Sequence, residues 1–235
     1  MTTIDIRRAD ERFATKLDWL DSKHSFSFGP HYDATNTHHG LLLVNNDDVV
    51  RAATGFGTHH HRDMEIVTWV LSGELEHRDS EGNHGIIYPG LAQRMSAGTG
   101  IMHSEHNPSR DTDVHFLQMW VRPDSVGIDP GYEQHDVGDE LDSGRLFRIA
   151  SGTSAEGAVH LHQAGAELWG GRIRPGTQVD LPTDRHVHVF VARGTGSLDP
   201  GGDLATGDAV RVTDPEGLSF TAGPDGAEVS IWVTQ

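Results

Sequence analysis

Short runs that alternate apolar and polar side chains recur along this whole chain, cut by Gly, Pro, Asn and Asp at intervals of roughly ten residues. Glu65–Leu71, His115–Val121, Leu168–Ile173, His186–Ala192 and Glu228–Val233 are the clearest runs. Turn signals such as Asp79-Ser80-Glu81-Gly82-Asn83, Pro89-Gly90 and Asp199-Pro200-Gly201-Gly202 fall between them. A period of two puts alternate side chains on one face of a strand. No segment holds a helical apolar period over several turns, and only Arg7–Leu20 leaves room for a short helical turn. The pattern predicts an all-β fold. Val67–Gly73 (V-T-W-V-L-S-G) and Val187–Gly194 (V-H-V-F-V-A-R-G) form a loose internal repeat. The Pro-, Gly- and acid-containing stretch between them reads as a connector. We expect two antiparallel β-barrels in tandem, residues 1–125 and 143–235, joined by a linker over 126–142.

The 235 residues suffice for two such cores. Cysteine is absent, which rules out disulfides, thiolate nucleophiles, iron–sulfur clusters and Cys-based zinc sites. Against 18 Lys and Arg stand 35 Asp and Glu, a formal net charge of −17. The average field therefore repels phosphate backbones and anionic lipid, and direct binding to nucleic acid or membrane is not expected. The longest apolar stretches, Leu41–Val44 and Ile66–Leu71, are far below membrane-spanning length. Residues 1–13 carry both signs of charge and lack an apolar core, so a cytoplasmic location is expected. Histidine is over-represented, with 17 in the chain.

The histidines that carry chemistry lie between Gly55 and Asn107. His59 and His61 are two apart and share a face of a strand, which turns His60 the other way. After the turn Gly98-Thr99-Gly100, His103 and Glu105 repeat the spacing. Two such pairs facing each other inside a barrel would bring three imidazoles and a carboxylate to one point. That set suits a divalent transition metal with positions left for substrate. Spacing alone leaves the carboxylate open between Glu105 and Glu65, which follows His61 by four residues. In the second unit, His186 and His188 have no His-x-Glu pair downstream, and His160 and His162 precede them on another expected strand. Two ligands do not close a good site, so a barrel without metal is expected there.

Three stretches carry a resemblance. Gly55–Leu71 (G-F-G-T-H-H-H-R-D-M-E-I-V-T-W-V-L), His77–Asn83 (H-R-D-S-E-G-N) and Gln93–Glu105 (Q-R-M-S-A-G-T-G-I-M-H-S-E) are similar to motifs of the pirin family, which includes the bacterial pirin-like quercetinases. Ser25–Gly29 and Tyr132-Glu133-Gln134 extend the likeness over most of the first 135 residues. The resemblance implies a bicupin of jelly-roll type with one mononuclear metal in the N-terminal barrel, held by His59, His61, His103 and Glu105. The family usually has Pro where this chain has His60. The implied activity is quercetin 2,3-dioxygenase-like: metal-dependent cleavage of a flavonol with O₂, with Glu105 as both ligand and proton acceptor. Iron(II) is the first expectation for the ion, with manganese, nickel, copper, cobalt or zinc as alternatives. The other reading the family implies is a redox-responsive metal protein that docks on a protein partner as a transcriptional co-regulator.

Overall fold

The computed structural model describes residues 1–153 and 157–235. In chain order the strands of the first half are β1 (Thr3–Arg7), β2 (Phe13–Lys16), β3 (Leu20–His24), β4 (Leu42–Val50), β5 (Gly55–His61) and β6 (Glu65–Ser72). They continue with β7 (Leu75–Asp79), β8 (His84–Ile87), β9 (Leu91–Ser96), β10 (Ile101–His106), β11 (Val114–Val121) and β12 (Gly131–Asp136). One helical turn, α1 (Gly138–Leu141), leads to β13 (Phe147–Ser151), β14 (Val159–His160), β15 (Ala166–Ile173) and β16 (Gln178–Asp180). The chain closes with β17 (His186–Asp199), β18 (Gly202–Ala205), β19 (Ala209–Thr213) and β20 (Ser219–Thr234). No helix among the described residues is long and apolar enough to cross a membrane.

In the first half a seven-stranded sheet, ordered β12-β9-β6-β11-β4-β3-β2, packs on a four-stranded sheet, β5-β10-β7-β8. Leu20, Val50, Val70, Leu75, Ile87, Val114 and Phe116 fill one end of the space between them. The second half is a nine-stranded sheet ordered β1-β19-β17-β20-β15-β13-β14, with β16 added to β20 and β18 to β17. Among the described residues only the short β13–β14 pair is parallel. The second barrel encloses an apolar core that includes Val187, Val189, Val191, Val210, Val212, Phe220 and Ile231. The chain is thus a two-barrel, all-β cupin fold.

The barrels meet face to face. On β6, Ile66, Thr68 and Val70 point into the first barrel, while Val67, Trp69 and Leu71 point out. The outward set joins Leu117, Met119 and Val121 of β11 and Phe190, Ala192, Ala209 and Trp232 of the second half in one buried cluster. Removing these apolar side chains from water, at about 25 cal/mol per Å², favours the packing of one barrel on the other.

Several segments differ from the expectation. Within Arg7–Leu20 the short helical turn is present, as the three-residue 3-10 turn Ala9–Glu11, but Phe13–Lys16 of the same stretch is a strand paired with Asp21–His24. Strand β1 lies within the stretch assigned to the first unit, yet it pairs with β19 of the second half, Thr3 opposite Thr213. Tyr132–Asp136, expected in the linker, lies in a strand that pairs with β9. Finally, the apolar alternation marks a strand only to Val44, whereas β4 runs on through Asn45, Asn46, Asp47 and Asp48. Those polar side chains find partners on both faces: Asn46 with His24 inside, and Asp47 with Arg12 and His115 outside.

The turn that launches β10 depends on glycine. Gly98 has φ +48°, and a Cβ there would meet the Ile128 carbonyl and stand 2.8 Å from the Pro130 nitrogen. Gly82 also has positive φ, +91°, but a Cβ there meets nothing. Gly98→Ala should therefore cost about 2–5 kcal/mol in urea unfolding, strain plus backbone collision. Gly82→Ala should cost only the strain, about 1–2 kcal/mol. Equal losses in the two variants would show that the 128–130 backbone yields freely.

Candidate metal centre

Strands β5 and β10 run antiparallel with His103 opposite His59 and Ile101 opposite His61. One donor nitrogen each from His59, His61 and His103 lies within 4.8 Å of the others. His60 is turned away from them and lies over the Gly98–Gly100 turn, as alternation requires. Between His103 and Glu105 the register slips: Glu105 pairs with Phe56 rather than Gly57. The extra residue on β5 is a bulge, which re-aims side chains locally. Its effect here is to bring Phe56, three residues before His59, onto the same cavity as the histidines.

Hydrogen bonds outside the triad fix which nitrogen His59 and His103 present. His59 Nδ1 donates to the Gly57 carbonyl at 2.8 Å, leaving Nε2 with its lone pair. Asp79 accepts from His77 Nε2 at 3.1 Å, so His77 Nδ1 carries a lone pair and can accept from His103 Nδ1 at 3.5 Å. Asp79 is itself anchored by the Glu81 and Asn83 amides. His103 therefore also presents Nε2 as a lone pair. The Nε2 atoms of His61 and His103 are buried and without a hydrogen-bond partner among the described residues. Lone-pair nitrogens converging from three rings, two of them orphaned, are what a divalent ion of borderline softness needs. The residues fit such an ion.

Burial reinforces this. It lowers the His61 pKa to about 4 and, with the neighbouring imidazoles, that of His103 to about 2. Both rings are neutral at physiological pH and available as ligands. Glu105, also buried, is pushed up to about 7 by desolvation, against a hydrogen bond that favours its charged form. That bond comes from Gln118 Nε2 to Oε2 at 2.7 Å, and Trp120 Nε1 donates to Gln118 Oε1 at 3.2 Å, which holds the amide in place.

The centre opens on a cavity of about 430 Å³ between the two sheets. Trp19, Phe28, Phe56 and Trp120 form its aromatic walls, and Glu105 and Gln118 line it beside His59 and His61. Trp120 stands edge-on to His61, with ring centroids 4.9 Å apart. The volume and the apolar walls suit one planar aromatic molecule.

The other candidate residues separate cleanly. Glu65 sits on the outward face of β6, where Oε2 accepts from Ser96 Oγ (2.9 Å) and from the His162 amide (3.0 Å) across the barrel interface. It does not line the cavity, whereas Glu105 does. His186 and His188 alternate with Val187 and Val189, which fill the second barrel, so the pair faces the first barrel instead. His188 packs against Phe26, and the described residues hold no further group of three potential ligands. Sequence reasoning missed Gln118, Trp120 and the Asp79–His77 support. The signal was available on β11, where the period sets Phe116, Gln118 and Trp120 opposite Leu117, Met119 and Val121.

The sequence profile described as Pirin matches residues 6–121, and the one described as the quercetinase C-terminal cupin domain matches residues 148–231. A Mycobacterium tuberculosis protein named "Putative quercetin 2,3-dioxygenase" is 57% identical over 231 residues, covering 98% of this chain and 94% of its own. The protein named quercetin 2,3-dioxygenase in Escherichia coli K12 is 39% identical over 224 residues, with coverage of 94% and 95%. Among solved structures, a bacterial pirin from Escherichia coli in complex with nickel(II) matches at 37% identity with a TM-score of 0.89, over 98% of each chain.

The buried imidazoles set an acid sensitivity. A histidine whose pKa is lowered by folding binds fewer protons folded than unfolded, so stability falls as pH drops from about 6.5 toward the folded value. Glu105, raised by folding, acts in the opposite sense between about 4.5 and 7. In chelator-treated protein, His103→Gln should lose less stability than the parent between pH 6.5 and 4, read from urea midpoints. An equal loss in both would mean that His103 is protonated in the folded state.

Proposed function

The chain belongs to the pirin family, and from that premise we propose that it is a metal-dependent dioxygenase that opens flavonols such as quercetin with O₂. The observation that carries this reading is the convergence of three imidazoles, two with buried and unpartnered nitrogens, on an aromatic-walled cavity that also holds a buried carboxylate. We assign His59, His61, His103 and Glu105 as the ligands of one divalent ion. Iron(II) is the first ion to test, and the nickel(II) complex of the Escherichia coli relative puts nickel beside it. When bound, the ion supplies Lewis acidity that favours the ionised form of a phenolic hydroxyl, and a path for electrons between substrate and O₂.

The protein's own groups do the rest. Trp19, Phe28, Phe56 and Trp120 hold the aromatic rings and exclude water. Gln118 fixes Glu105 through Oε2, which leaves the carboxylate's remaining capacity for the proton of the substrate hydroxyl. Trp120 in turn orients Gln118 and packs on His61, so a single residue couples the cavity wall to both ends of the ligand set. Asp79 and His77 hold the His103 ring in the tautomer that coordinates.

Protein purified without an affinity tag should contain close to one transition-metal ion per chain by elemental analysis. His61→Ala and His103→Ala should each empty the site. Asp79→Asn should weaken metal binding by about 10–100-fold while leaving all four ligands in place. Glu105→Gln should retain part of the metal yet lose about 10²–10⁴-fold in flavonol turnover per bound ion. The loss should shrink at high pH, where the substrate is already ionised. Absence of O₂ uptake and CO release with every restored metal would overturn the dioxygenase reading.

A further inference from the structure

Strand β4 carries four consecutive polar residues, and two of them, Asn46 and Asp48, point into the first barrel. The register spreads this polarity sideways. Asn46 lies between Gln118 of β11 and His24 of β3, and Asp48 between Phe116 and Ser22. A barrel interior next to Val50, Val114 and Phe116 has no need of such a floor for packing. Most of it is internally paired, since His24 Nδ1 meets Asn46 Oδ1 at 2.9 Å and His24 Nε2 meets Thr15 Oγ1 at 3.0 Å.

Asp48 is the exception. It is 3% exposed, has the Ser22 hydroxyl as a neighbour that favours its charged form, and leaves Oδ1 with no hydrogen-bond partner among the described residues. No cation among the described residues pairs with it: Arg12, whose field reaches it, is bonded to Asp47 on the opposite face of β4. A buried carboxyl oxygen without a donor destabilises the fold, and an apolar residue of similar size would not. Asp48 nevertheless lines the same cavity as His59, His61 and Glu105, under aromatic walls suited to a planar ring.

Resting on the flavonol reading above, we infer that Asp48 determines specificity. Its free Oδ1 hydrogen-bonds a ring hydroxyl of the substrate other than the one ionised at the metal centre, so the site selects polyhydroxylated over unsubstituted rings. The occupant is a neutral aromatic molecule bearing hydroxyl donors, because the walls are aromatic and the floor offers an acceptor rather than a cation.

Trp19 and Trp120 line the cavity, so quenching of tryptophan fluorescence reports occupancy without turnover. The probes are three flavonols that differ in hydroxyls on the pendant ring: galangin with none, kaempferol with one and quercetin with two. The metal-loaded parent should bind quercetin at least about tenfold tighter than galangin. Asp48→Leu should bind all three alike, with galangin affinity retained, and should melt at or above the parent temperature. Asp48→Asn, which keeps an oxygen acceptor, should restore part of the preference, and it also serves if the leucine variant fails to fold. Equal affinities in the parent, or an equal loss for all three ligands in the variants, would overturn this inference alone. If the parent binds none of the three, the flavonol reading falls and this inference with it.

Discussion

Everything around the centre answers one constraint, the removal of several polar side chains from water inside a barrel barely large enough for one ligand. An imidazole or carboxylate in that position loses solvation that only a neighbouring group or a bound species can replace. The surroundings meet part of that need. The Gly57 carbonyl and His77 take the outer nitrogens of His59 and His103, Asp79 holds His77, and Gln118 donates to one oxygen of Glu105. What is left unanswered points inward, where a bound ion or ligand would answer it.

The two barrels show the same fold with opposite interiors. In the first, the strands that face the cavity put histidine, asparagine and aspartate inside. In the second, His186 and His188 occupy the outward face of β17, and valines fill the centre. Moving the pair by one residue along the pleat is enough to exchange a binding site for a packed core. The apolar second barrel serves as a support instead. Its outer face, with Trp232 and Phe190, backs the very sheet whose inner face carries Gln118, Trp120 and Asp48. The cavity floor is thus packed from behind by the second barrel.

How much of this was legible in the sequence depended on range. The His59–His61 and His103–Glu105 pairs were readable because a period of two is local and needs no partner strand. Glu65 and Glu105 were not separable from spacing, since both follow a histidine closely; the sheet face separates them, with Glu65 on the outer one and Glu105 on the cavity. The bulge that brings Phe56 beside the histidines appears only when β5 and β10 are aligned. The polar run in β4 hides its strand for a related reason. Asn and Asp disfavour strands unless their side chains find partners, and here His24, Arg12 and His115 come from distant parts of the chain. Pairing of β1 with β19 had no local signal at all.

That last pairing has a consequence for how the molecule is made. At about 5–20 residues per second, the roughly two hundred residues separating β1 from β19 take about 10–40 seconds to emerge from the ribosome. Strands β2 to β12, including both strands of the triad, can assemble in that interval, whereas the opening strand must wait for its partner. Asp5, Arg7 and Arg8 keep the waiting segment charged, as suits an edge that must not recruit a stranger. When β19 finally arrives, β1 is zipped onto its flank, and a chain that began folding at one end is latched at the other. Vectorial synthesis thus leaves the second barrel to recover the earliest of its own strands last.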